Sequence, residues 1–449
     1  MGRRPLRRGD HEGRVQQELL ERLFGRLFRR WLGLGLSQLT STEAVGARPR
    51  AGTDPFGGAT RPPAGLSPGT VRPIPPWAFT GVAICSFGGP LALTALYAPG
   101  LLADAGASTG LAMVAAVIVF TAPLAIWLRY ARHVSSAGGL FAFVEAAAGR
   151  LLALAQAATW IVSYVLYLVY TTVQIVYDLL PSVMPVGRSA QTVLALLIPI
   201  GIAGVMVAGR ATALIVLGLM AVGQLALAGI LDGLTVAHFT TPASAFAVGA
   251  PAGSVAKAGA QTSLLYICGS LPLFLGGELA RPARTIRRGL VGTYLLTTVV
   301  ISLAVVPLAA APGLLRTAVP GVTVAQLFAS PGLAKATGIG VAVSIAGVIL
   351  CEYLALTRLL HAIGRWRLRP ITLAIGALMV AAAPFSLIDP QGFYSALVKP
   401  SLAALWTSQL IVFLAYPRFV AKRRGRALPA WTLSAAASGL AIYGLWTAL

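Results

Sequence analysis

The chain has 449 residues, of which 57% are hydrophobic and 11% charged, with a mean hydropathy of +0.80. A soluble domain carries about 25% charged residues, so this composition excludes one and points to an all-α polytopic membrane protein. The net charge of +22 does not indicate a nucleic-acid partner, because thirteen arginines fall within residues 1–75 and the other lysines and arginines lie in loops between apolar segments.

Residues 1–76 read as a basic tail and linker. No apolar stretch with a cleavage signature follows Met1, so no secretory signal is expected. Residues 14–36 are predicted to form an amphipathic helix, with Leu20, Phe24, Leu27 and Trp31 on one face and Arg22, Arg26, Arg29 and Arg30 punctuating it. Such a helix can lie against anionic lipid headgroups; a structureless tail is the alternative. Residues 37–76, rich in Gly, Pro, Ser and Thr, read as a flexible linker.

The transmembrane region, 77–449, contains eleven apolar segments long enough to span a bilayer at about 20 residues each. Their predicted bounds are 77–100, 108–128, 151–180, 190–208, 211–236, 260–280, 289–310, 334–357, 370–388, 392–416 and 429–449. With the tail inside, the loops on that side hold seventeen Lys and Arg against five on the other. That asymmetry puts the N-terminus in the cytoplasm of a cell-membrane protein and Leu449 outside. Cys85, Cys268 and Cys351 all lie within apolar spans, far apart, and are expected to be free thiols.

The first segment contains Ala83-Ile84-Cys85-Ser86-Phe87-Gly88-Gly89-Pro90-Leu91. Two glycines and a proline oppose a helix where a spanning helix should be most regular. The sixth contains Tyr266-Ile267-Cys268-Gly269-Ser270-Leu271-Pro272, followed by Gly276-Gly277. Each motif alone could be a packing face with a proline kink. Segments one and six, however, are corresponding members of two five-helix halves, 77–236 and 260–416, with 429–449 as an extra helix. Because five is odd, the halves enter the membrane from opposite sides and form an inverted repeat. Interrupted helices at matching positions of such halves point to a transporter site.

Two further runs carry a family resemblance. Ser136-Ala137-Gly138-Gly139-Leu140-Phe141-Ala142-Phe143-Val144-Glu145, after the second span, resembles the "SAGGLYAYV" signature of amino acid–polyamine–organocation permeases. Gly277-Glu278-Leu279-Ala280-Arg281-Pro282-Ala283-Arg284-Thr285-Ile286 is similar to their "EEVKNPRRTIP". The resemblance covers about 77–416 and implies the leucine-transporter fold with alternating access. It places Ser86 to Pro90 and Tyr266 to Ser270 on the family's two helix breaks. The sequence departs from the family pattern at Phe87, at Ser270 where an acidic residue is frequent, and in ending on an eleventh helix.

The residues then give a site. Unpaired N–H groups at a half-helix N-terminus can hold a carboxylate, and unpaired carbonyls an ammonium, so two facing breaks suit the backbone of an amino acid. Ser86, Phe87, Gly88, Gly89, Tyr266, Cys268, Gly269 and Ser270 are its candidate lining. On the third segment Ser163, Tyr167, Tyr170, Gln174 and Tyr177 form a polar stripe. In related transporters a tyrosine there meets the substrate carboxylate, which suits Tyr167 or Tyr170; interfacial anchoring is the alternative.

For coupling, Glu352 is the one acidic residue well inside a span, and it could carry a proton or be a structural acid. It is expected to lie more than a turn toward the cytoplasmic end of its helix, an awkward reach from the breaks. Ser344 and Thr357 could offer oxygens to sodium. No metal site, cofactor or nucleic-acid partner is expected beyond a coupling H+ or Na+. The leading function is a secondary transporter of amino acids, neutral ones because no carboxylate is expected at the breaks. The alternatives are a transporter-like amino-acid sensor and a carrier of polyamines or other organocations. An enzyme is disfavoured, since no cluster in the spans has catalytic spacing.

Overall fold

The computed structural model describes residues 73–423 and 427–449. The amphipathic helix expected over 14–36 lies outside the described residues. Pro73–Leu449 forms one compact unit. Among the described residues eleven helices are long and apolar enough to cross a membrane. They are α1 Pro76–Ala103, α2 Gly106–Ala131, α3 Arg150–Val183, α4 Arg188–Val207, α5 Arg210–His238, α6 Ala252–Glu278, α7 Pro282–Ala310, α8 Pro331–Gly364, α9 Leu368–Leu387, α10 Pro390–Lys422 and α11 Leu428–Ala448.

All eleven coincide with the segments expected from sequence. The differences are at the ends: α6 begins eight residues before 260, while α8 and α10 run past 357 and 416 into their basic flanks. Window hydropathy stops at the first charges, whereas the helical backbone continues until a cap or proline ends it. At the end of α8 the stop is Arg365, the one non-glycine residue with a positive φ among those described.

The helices divide by burial. The most apolar windows of α1, α6 and α8 are 83%, 72% and 72% buried, while those of α4, α5 and α9 are 28–33% buried. The first set therefore forms the protein-facing centre, and the second leaves much apolar surface for lipid. A helix that is apolar all round and still buried is surrounded by other helices. Small residues permit the close crossings, for a Cβ added at Gly81 would sit 3.1 Å from the Gly218 backbone of α5. Between α2 and α3 the short helix Leu140–Ala148 packs against α3 and α10.

Candidate functional site

The first interruption is built by backbone conformation. The helix Pro76–Ser86 closes on Phe87, whose N–H donates to the Ala83 carbonyl at 3.1 Å. Gly88 and Gly89 then take φ of +80° and +66°, and Pro90 restarts the helix. Side chains avoid that region of φ, which is why two glycines stand there. A methyl group on Gly89 would also overlap Ser344 Oγ of α8.

Around this break runs a polar seam. Ser344 Oγ accepts from the Ala92 N–H at 3.3 Å, in the restarted helix, and donates to Gln224 Oε1 at 2.6 Å. Gln224 Nε2 donates to Cys85 Sγ at 3.3 Å, and Cys85 Sγ donates to the Leu217 carbonyl at 3.4 Å. The seam ties α1, α5 and α8 together beside the break. It also occupies the Ser344 oxygen considered for sodium. Thr357 is engaged as well, accepting from the Arg358 guanidinium at 3.1 Å, a neighbour unsuited to a cation site. Among the described residues no group of three or more His, Cys, Asp or Glu gathers as metal ligands.

The second interruption is a change of winding. The α-helix Ala252–Leu264 gives way at Leu265 and Tyr266, and Ile267–Glu278 continues as a 3-10 helix containing Pro272. Ser270 Oγ donates to the Ile267 carbonyl at 3.1 Å and accepts from Gln409 Nε2 of α10 at 3.3 Å.

The two breaks touch through Phe87, which is fully buried. A Cβ at Gly269 would lie 2.5 Å from its ring, so the ring rests directly on the glycine backbone. The same ring joins an aromatic cluster with Phe120, Tyr266 and Tyr294 at centroid distances of 6.3–6.5 Å. Tyr266 thus faces α2 and α7 rather than the α3 stripe. Ser86 is buried with its hydroxyl donated to the Ala83 carbonyl at 2.8 Å, which leaves it part of the helix end.

On α3 the tyrosines form a contiguous row. Tyr167 and Tyr170 meet edge to face at 5.3 Å, and Tyr170 packs on Tyr394 of α10 at 5.4 Å. Tyr164, fully buried, lies beside Cys268 and Ser270 of the second break. It was not among the sequence candidates, and neither were Gln224 and Gln409. A glutamine or tyrosine alone in an apolar run is the signal that could have found all three.

Glu352 lies within electrostatic reach of Tyr164, Tyr167, Tyr170 and Cys268, and α8 packs against both α3 and the 3-10 half of α6. Cys351 Sγ, one residue before it, donates to the Val82 carbonyl of α1 at 3.5 Å. Glu352 is 0% exposed, and neither carboxylate oxygen has a hydrogen-bond partner.

A second charged group closes one end of the bundle. Glu278, at the end of α6, accepts from Arg210 Nη1 at the start of α5 at 2.7 Å and from Arg358 Nε of α8 at 3.0 Å. Its backbone carbonyl also accepts from the Ile74 N–H at 2.9 Å, just before α1. One residue therefore fastens four elements.

No protein-family model and no curated protein matches the sequence. Solved structures do. The chain is similar to MhsT in complex with L-phenylalanine, at 13% identity over 82% of this chain and 97% of that one, with a TM-score of 0.53. It is similar to the manganese transporter of Eremococcus coleocola in complex with an aromatic bis-isothiourea compound, at 11% identity over 84% and 90%, with a TM-score of 0.53. At these identities the likeness concerns architecture. An all-helical, eleven-span chain with α1 and α6 interrupted has the leucine-transporter fold, as the resemblance of its motifs implied.

Proposed function

We propose that this integral membrane protein is a secondary active transporter that carries amino acids with neutral side chains by alternating access. The observation that carries the reading is the meeting of two interrupted helices, from matching positions of two halves, at Phe87 and Gly269. Interrupted helices present backbone ends to a solute at mid-depth, and lipid tolerates them only where they line a cavity or are enclosed by protein. The MhsT likeness supports an amino acid as solute, since that structure holds L-phenylalanine.

In this reading the backbone N–H groups of Gly88, Gly89 and Leu91 at the break face the substrate carboxylate, with Tyr167 or Tyr170 as a further donor. Phe87 and Leu271 enclose the side chain. Alternating access would open the end closed by Glu278, which faces the cytoplasm if the arginine asymmetry sets orientation. A proton or sodium gradient would drive the cycle.

The test is uptake of radiolabelled L-leucine, L-phenylalanine and L-alanine into proteoliposomes under imposed proton or sodium gradients. Saturable accumulation that arginine and putrescine compete poorly is the expected result. Binding without accumulation would make the protein a sensor, and preference for putrescine or arginine an organocation carrier.

A further inference from the structure

Glu352 is a fully buried acidic group that the proposed function has not yet used. A buried carboxylate without a partner is costly in its ionised form, so it is either protonated or matched by a cation. Among the described residues no lysine or arginine acts on it. The titratable groups facing it are Tyr164, Tyr167 and Tyr170 from α3 and Cys268 from α6. Cys351 adjoins it on α8, and Cys85 of α1 lies near Cys351. The nearest arginine along its own helix, Arg358, is committed to Glu278. Unless Glu352 is protonated, its counter-charge comes from outside the chain.

Three features say what that cation is. Glu352 faces the second break and the tyrosine row, the same surface to which the proposed function assigns the solute. Its oxygens have nothing of the protein's to bond to, so they can accept from an ammonium with two or three N–H donors. The walls are aromatic rings and a thiol, which favour a cation held by one carboxylate over a metal needing several oxygens.

We propose that Glu352 is the acceptor for the ammonium group of the substrate and holds a proton whenever that ammonium is absent. This rests on the transporter reading above and narrows its substrate to amines, with the α-ammonium of an amino acid as the group bound. The exchange balances: the carboxylic acid of Glu352 and R–NH3+ give the carboxylate–ammonium pair and one H+, which leaves to the water on the open side. Proton and amine compete for one group, so they cross in opposite directions. The coupling is then exchange rather than symport.

The purified protein in weakly buffered detergent tests this with three probes that share a phenyl ring: L-phenylalanine, phenethylamine and 3-phenylpropionate. The expected results are release of about one proton per bound phenylalanine or phenethylamine and an affinity that rises about tenfold per pH unit until Glu352 is ionised without ligand. The carboxylate-only probe should bind weakly and release none. E352Q, which copies the protonated shape, should fold, lose about tenfold or more in amine affinity and lose the pH dependence. The wild-type proton count needs no variant, so a misfolded E352Q leaves the test intact. Phenylalanine binding with no proton release, or with affinity and pH profile unchanged in E352Q, overturns this inference and spares the transporter. Failure of the wild type to bind any of the three probes overturns both.

Discussion

The two interrupted helices solve the same problem by different physics. In α1 the chain is forced out of the helix by Gly88 and Gly89 at positive φ, and the break is written into three consecutive residues. In α6 no described residue of the break has a positive φ; the helix tightens from α to 3-10 and stays there to Glu278. A 3-10 run of twelve residues is long for that geometry, whose hydrogen bonds are poorer. It is held from outside by Gln409 on Ser270 and by the Phe87 ring on Gly269. The first break is therefore local and rigid, and the second depends on its neighbours. Of the two, the dependent one is the cheaper to move.

The sharpest way to break this contrast is Gly89→Ala. The side chain would occupy a left-handed backbone position and overlap Ser344 Oγ, so a loss of about 3–5 kcal/mol is expected, seen as loss of folded protein or a large drop in Tm in detergent. A mild effect would show that α1 can repair its own break. Gly269→Ala is expected to cost less, about 1–3 kcal/mol, because a ring can shift where a backbone cannot. Pairing it with Phe87→Leu should recover about 1 kcal/mol relative to the sum of the single changes. Strict additivity would mean that the ring does not support the second break.

The smallest effect is a difference in labelling rate. Cys268 is partly exposed, whereas Cys85 and Cys351 are 0% and 1% exposed. A small membrane-permeant thiol reagent should modify Cys268 first, and substrate should slow it. Prior labelling of Cys85 would show that α1, and not α6, is the element that opens.

The same contrast explains what could be read in the sequence. Gly-Gly-Pro states its geometry locally, so the first break was legible to the residue. Tyr266 to Ser270 marked where the second begins, at Leu265 and Tyr266, but not that the chain continues as 3-10 to Glu278, held by partners as distant as Gln409. Hydropathy located the spans but not Gln224 or Tyr164 as site neighbours, since a lone polar residue has no defined direction until its helix is packed. Glu352 was conspicuous by type, yet the packing of its helix on α3 and α6 and the bond from Cys351 to the Val82 carbonyl are tertiary facts. The tail, prominent in the sequence for its arginines, lies outside the described residues.

The fastening at Glu278 has a mechanical consequence. Because one carboxylate serves both Arg210 and Arg358, and the same residue's carbonyl holds Ile74, α1, α5, α6 and α8 cannot be released one at a time at equal cost. Parting Glu278 from its two arginines leaves a carboxylate without its counter-charges, which is costly until water reaches it. Openings that separate these ions without wetting them are thus disfavoured. On the proposed transport reading, such an end behaves as a toggle rather than a hinge.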